Sequence, residues 1–146
     1  MRLAQSDELK NIHALFTSRR NLFPHFRLGD LKRRIENKQC IFEEGVVITF
    51  QQYRKLTRVG NIKIPAKSVM LHEIVNRNQF SGAGGRVLDR FFDKVVVPSG
   101  GDLYLTVRAE NVVACEFFER HGMRIVGKVA WSGGTISGFI YCKALK

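Results

Sequence analysis

Gln79-Phe80-Ser81-Gly82-Ala83-Gly84-Gly85-Arg86 follows an apolar run at residues 69–75 and precedes a helical pattern. A strand that ends in a glycine-rich turn and opens into a helix leaves several backbone N–H groups without partners, all pointing at one spot beside the positive end of the helix dipole. Such a turn binds phosphate. Glycines at 82, 84 and 85 remove the Cβ atoms that would hold a pyrophosphate off the main chain, and Arg86 adds a charge-assisted donor in the first helical turn. The expected guest is a nucleotide-like cofactor, and the plain alternative is a turn with no ligand.

Spacing narrows the choice. The dinucleotide pattern G-x-G-x-x-G would need glycine or alanine at position 87, which is Val87, and the P-loop pattern G-x-x-x-x-G-K-[ST] is absent. What remains is Q-x-x-G-x-G, read as Gln79-x-x-Gly82-x-Gly84. A second block lies downstream: a strand at 102–107, then Asn111, Ala114, Phe117, Phe118, Gly122 and Met123. Together the two blocks span residues 69–127, about two fifths of the chain. They resemble the GNAT superfamily of N-acetyltransferases, whose second block is usually written N-x-x-A-x-x-[LF]-Y-x-x-x-G-F.

The resemblance implies acetyl-CoA as co-substrate, with its pyrophosphate held by Gln79, Ser81, Gly82, Ala83, Gly84, Gly85 and Arg86. It also implies that main-chain groups around Ile74 and Val75 hold the pantetheine arm and polarise the thioester carbonyl. Asn111 matches the asparagine that hydrogen-bonds this arm, and an ordinary helix cap is the other reading. Phe118 stands where the family usually places a tyrosine thought to protonate the leaving thiolate. Phenylalanine donates no proton, which leaves water or Tyr141 as a stand-in acid, or a domain that binds without catalysis.

Acetyl transfer to an amine needs the amine deprotonated. For a lysine-like amine with a pKa of about 10.4 the deficit at neutral pH is on the order of 4–5 kcal/mol, which a base or a desolvated site must offset. Glu73 and His72, on the strand before the glycine turn, are the candidate catalytic residues. Alternation puts them on opposite faces, so without a bulge at most one of them faces the acceptor.

The rest of the chain is read as one domain over residues 1–146. A first strand at 1–5 leads to a helix capped by Ser6 or Asp7, carrying Leu9, Ile12 and Phe16 and ending near Arg19. Asp30 can cap a second helix that buries Leu31 and Ile35 and exposes Lys32, Arg33 and Arg34. A hairpin at 40–53 turns over Glu43-Glu44-Gly45. Residues 54–67 are basic and irregular, read as a loop with room for a short strand. The helix after the glycine turn carries Val87, Leu88, Phe91, Phe92 and Val95 and is ended by Pro98-Ser99-Gly100-Gly101. A helix at 112–121 stops at Gly122, and a last hairpin turns over Ser132-Gly133-Gly134. The expected class is α/β (α+β): a mixed, mostly antiparallel central sheet flanked by about four helices, in the order β-α-α-β-β-β-α-β-α-β-β, which is the GNAT order.

Composition sets limits. Hydrophobic residues make up 45%, with 11 Phe, as an ordered domain requires. No apolar run reaches the roughly 18 residues of a membrane span and the first residues lack a signal-peptide core, so a cytoplasmic protein is expected. Cys40, Cys115 and Cys142 sit apart in apolar context as reduced thiols, and His13, His25, His72 and His121 lack metal-ligand spacing, so no metal is expected. The net charge is +11; residues 1–67 hold 14 Lys/Arg against 6 Asp/Glu, and residues 68–146 hold 10 against 7. The excess lies mainly outside the cofactor block and suits an acidic or nucleic-acid-associated amine acceptor, or a solvated basic face. Arg19-Arg20-Asn21-Leu22-Phe23-Pro24-His25-Phe26-Arg27 interleaves cations with rings, either to stack on bases or to close the core. A monomer or a homodimer paired through the last hairpin is compatible with all of this.

Overall fold

The structure, a computed structural model, describes residues 1–145. A 3-10 turn at Ser6–Glu8 leads into α1 (Leu9–Thr17), followed by α2 (Leu28–Glu36), β1 (Cys40–Glu43), β2 (Val46–Gln52), β3 (Thr57–Val59), β4 (Ile62–Ile64) and β5 (Val69–Asn76). Then come α3 (Ala83–Phe91), a π turn at Phe92–Val96, α4 (Val97–Ser99), β6 (Leu103–Arg108), α5 (Val112–Arg120), β7 (Arg124–Trp131) and β8 (Ile136–Lys143). The main sheet runs β1-β2-β5-β6-β8-β7, and β3-β4 form a separate ribbon. The β5–β6 pair is parallel, while β1–β2, β6–β8 and β7–β8 are antiparallel. Among the described residues no helix is long and apolar enough to cross a membrane.

Two compact units divide the chain: Met1–Phe50 with Glu73–Leu88, and Gln51–His72 with Asp89–Lys146. In the first, Ile12 and Phe16 on α1 and Leu31 and Ile35 on α2 recur every four residues, the spacing that keeps a helix stripe on one face. They bury themselves with Cys40, Val47 and Val75. Phe23 and Phe26 join this core: the Phe26 ring stacks on Phe16 at 3.9 Å and Phe23 meets it edge-on at 5.0 Å. These half-buried rings close the core. β1 and β2 turn through Glu44 and Gly45, both at positive φ (51° and 76°), the two-residue turn whose twist matches a hairpin.

In the second unit β6, β8 and β7 are joined antiparallel with β8 in the middle, and Ile64, Met70, Tyr104, Ile140 and Cys142 form a buried cluster. α5 adds Cys115 and Phe118 to the buried set and stops at Gly122, φ 87°. All three cysteines are free and buried. Burial pushes the Cys40 thiol up to about 12, so it stays a protonated core group.

Several sequence expectations are corrected. The first strand is a single bridge, Leu3 to Ile41. Glu8 accepts the Gln5 N–H at the start of the first helical turn, in place of a Ser6 or Asp7 cap. α1 ends at Thr17, and α2 starts at Leu28, so Asp30 lies inside its first turn and pairs with Arg33 at 2.7 Å. Arg34 is half-buried and donates to Gln39. Residues 54–67 hold two strands where one was allowed for. The helix after the glycine turn runs through a π turn that inserts one residue, which moves the buried position from Val95 to Val96; Pro98 lies within its last stretch, and Gly100 at φ 82° ends it.

Candidate active site

Thr49 and Gln51 stand two apart on β2 and therefore on one face. The Thr49 hydroxyl donates to Glu73 Oε1 and accepts the Glu73 N–H at 3.0 Å, while His72 Nε2 lies 2.8 Å from Gln51 Oε1. Consecutive residues of a regular strand face opposite ways, so His72 and Glu73 meeting one face of β2 marks a β-bulge in β5. Backbone parity agrees. Val69 donates to the Asp102 carbonyl and Arg77 to the Gly45 carbonyl, although the two donors are an even number of positions apart and would otherwise point to one edge. The bulge removes the separation that alternation imposed on His72 and Glu73.

It also fixes the phase of the residues after it. Counting back from Arg77, Val75 turns its N–H toward β2, and Ile74 turns its own to the opposite edge, past the last β5–β6 pair at Met70 and Tyr104. Val75 is buried in the first unit's core and Ile74 is half-buried. Of the two, Ile74 has main-chain groups directed away from the ladder.

Burial pushes the Glu73 carboxyl above the ordinary carboxylate range; the Thr49 hydroxyl and the Arg34 guanidinium pull it back, and Asp30 adds to the rise. A carboxylate raised toward neutrality is a better base than a solvated one.

The chain from Asn76 to Arg86 is built by local hydrogen bonds. Asn76 Oδ1 accepts the Asn78 N–H at 3.0 Å, and Ser81 Oγ accepts the Ala83 N–H at 3.3 Å. α3 begins at Ala83, so Gly84 and Gly85 are buried residues of its first turn, and Gly82 alone of the three is an exposed turn glycine, at φ 85°. The Arg86 N–H reaches the Gly82 carbonyl at 3.3 Å, whereas the N–H groups of Gly84 and Gly85 have no acceptor among the described residues. Arg86 folds back over Gly82, where a Cβ would meet its Nη1 at 3.2 Å, and its Nη2 lies 3.4 Å from Glu44 in an exposed ion pair. Such a pair is weak enough for an incoming anion to replace. Gln79 is exposed. Two amides without acceptors, a dipole end and an exposed guanidinium thus lie together, which is what an oxyanion of phosphate requires.

No protein-family model and no curated protein matches the sequence. Solved structures do. A GNAT-family acetyltransferase from Streptococcus agalactiae superposes with a TM-score of 0.72 over 99% of this chain and 94% of its own, at 18% identity. The fold is that of the GNAT acetyltransferases. The ribosomal-protein-alanine N-acetyltransferase of Brucella melitensis shares the GNAT fold with a TM-score of 0.71, 15% identity, and coverage of 99% of this chain and 98% of that one. A Bacillus subtilis acetyltransferase solved in complex with CoA matches 71% of each chain at a TM-score of 0.55 and 12% identity.

Within that GNAT fold the second block departs from its expected chemistry. Asn111 Oδ1 accepts the Ala114 N–H at 3.2 Å and so caps α5, leaving its Nδ2 without an acceptor among the described residues. Phe118 is 4% exposed, and Phe117, half-buried, packs edge-on against it. Tyr141 is fully buried, and its hydroxyl donates to Glu119 Oε2 at 2.6 Å. Desolvation and the Glu119 carboxylate push its pKa far up, so Tyr141 is not a stand-in acid.

Three contributors escaped the sequence reading. Thr49 is a lone hydroxyl in an apolar strand, and nothing local marks it as the partner of Glu73. The Arg19 guanidinium donates to the carbonyls of Asn76 and Arg77 at 3.3 and 3.5 Å, tethering the end of β5. Phe80 takes a left-handed φ of 65° and is 94% exposed. A shallow depression of about 430 Å³ is walled by Gly60, Lys128, Val129, Ala130, Gly138 and Phe139.

Proposed function

We propose that the protein is an acetyl-CoA-dependent N-acetyltransferase that acts on a primary amine of a small molecule or a protein. The observation that carries this reading is the pair of acceptor-less N–H groups of Gly84 and Gly85 in the first turn of α3, beside Gly82 and Arg86. Such donors hold a pyrophosphate, and CoA is the pyrophosphate ligand of a solved relative in fold.

Acetyl-CoA, when bound, supplies the activated acetyl group. Ser81 and Gly82 shape the turn, Gly84, Gly85 and Arg86 hold phosphate oxygens, and Gln79 and Ala83 flank them. The Ile74 N–H is placed to donate to a carbonyl oxygen, with the neighbouring Val75 packed behind it, and Asn111 Nδ2 is a donor for an amide of the arm. Glu73 would take a proton from the acceptor's ammonium, and the free amine would then attack the thioester carbonyl, forming the C–N bond as the C–S bond breaks and passing its second proton through solvent to the thiolate; His72 is the second candidate for the base. The departing thiol has a pKa of about 8.5 and leaves as thiolate without an acid.

Calorimetric titration of acetyl-CoA into the purified protein, with ATP and NAD as controls, tests the reading. Micromolar binding of acetyl-CoA with silent controls is expected, and no binding would overturn it.

A second reading, a GNAT-fold domain that binds CoA without catalysis, is favoured by the buried Phe118 and the committed Tyr141 hydroxyl. Phe118→Tyr separates the two. An enzyme that needs no acid gains little from the hydroxyl, a change within about threefold in kcat, since general acid catalysis would otherwise contribute about 10²-fold or more. Activity that arises only in the variant would establish the silent domain.

A further inference from the structure

The segment at residues 51–72 carries five Lys/Arg and no Asp or Glu. Its middle folds as the β3–β4 ribbon, in which Arg58 is paired directly opposite Lys63. Like charges facing across an antiparallel pair destabilise it, so this register is a standing cost to the free protein. Neither cation, nor the flanking Arg54, Lys55 and Lys67, has a carboxylate partner among the described residues, and all five are exposed.

The ribbon is two-faced and firmly seated. Its inner side chains Val59, Ile62 and Ile64 pack on the second unit's core with Tyr53. Asn61 donates its N–H to the Lys128 carbonyl at 3.1 Å and accepts the Lys128 N–H on Oδ1 at 2.8 Å. Gly60, at φ 54°, lies so close that a Cβ would run into the Lys128 carbonyl oxygen. The tip is thereby clamped to β7, and Arg58, Lys63 and Lys128 are all exposed. A rigid base means that little ordering is lost when a partner arrives.

We propose that this ribbon is a docking surface for duplex nucleic acid. A two-stranded ribbon fits the major groove, and exposed Lys/Arg without internal counter-charges release counterions from phosphates on binding. An acidic protein partner is the poorer match. Protein interfaces centre on desolvated aromatic or apolar anchors, and on this ribbon Val59, Ile62 and Ile64 are turned inward, leaving only Leu56, 58% exposed, at its margin.

The test is fluorescence anisotropy with labelled DNA and RNA duplexes of about 20 base pairs, across a salt series around 0.15 M, for the wild type and Arg58→Gln/Lys63→Gln. Duplex affinity is expected to fall about tenfold or more in the double variant, and the slope of log K against log salt to fall in magnitude by about 2. The melting temperature of the free double variant should hold or rise, because the opposed charges are gone. Acetyl-CoA affinity should stay as in the wild type, which keeps this test separate from the proposed enzymatic activity. Failure of the wild type to bind either duplex at that salt, an unchanged slope in the variant, or tighter binding of poly-glutamate than of duplex would each overturn the proposal.

Discussion

Gly84→Glu is expected to weaken acetyl-CoA binding at least about 100-fold. In the first turn of α3 a glutamate interacts favourably with the helix dipole, which offsets part of the cost of placing a charged side chain at a buried glycine. Against a polyanion that carboxylate occupies the same positive end and repels the phosphates. Gly84 is buried, so Arg86→Glu, at an exposed position, serves as the companion variant. It reverses one charge beside Gly82 without touching the core, and a loss of about tenfold or more is expected. Titration calorimetry reads affinity and a thermal melt reads the fold. Unchanged affinity in both variants would show that the turn is structural and that the cofactor reading is wrong.

Residues whose structure follows from neighbours a few positions away were legible. Glu44-Gly45, Gly100 and Gly122 all take positive φ where the sequence placed turns or helix stops. The glycine stretch did open a helix, though one residue after Gly82, so that Gly84 and Gly85 became helical. What the sequence did not disclose depends on distant partners or on phase. Thr49 finds Glu73 across 24 positions, and no local pattern encodes that meeting. The bulge in β5 leaves its residue types unchanged and shows only in who pairs with whom. One inserted residue in the π turn exchanged Val95 for Val96. The ribbon at 57–64 has strands of three residues, too short for alternation to declare itself against its charge.

Glu73→Gln should lower kcat by about 10²–10⁴-fold, the usual reach of a general base, without lowering stability. The glutamine Oε1 still accepts the Thr49 hydroxyl, so the link between β5 and β2 survives. The pH dependence carries the sign. Glu73's carboxyl is raised in the folded state, so the folded protein keeps a proton that the unfolded chain has already lost above its ordinary value of 4.5. Its contribution to stability is therefore fully present below that value and is lost as pH rises through the raised one. At neutral pH the wild type holds a half-buried carboxylate at a disadvantage, and Glu73→Gln removes it. The variant's melting temperature at neutral pH should match or exceed the wild type's, and its decline between acidic and neutral pH should be shallower. In the wild type, kcat/KM should rise with pH along a limb centred above 4.5, and the residual activity of the variant should lack that limb. Were the variant to keep full activity with the same limb, the base would be His72, and Glu73 would be a half-buried anchor for Thr49.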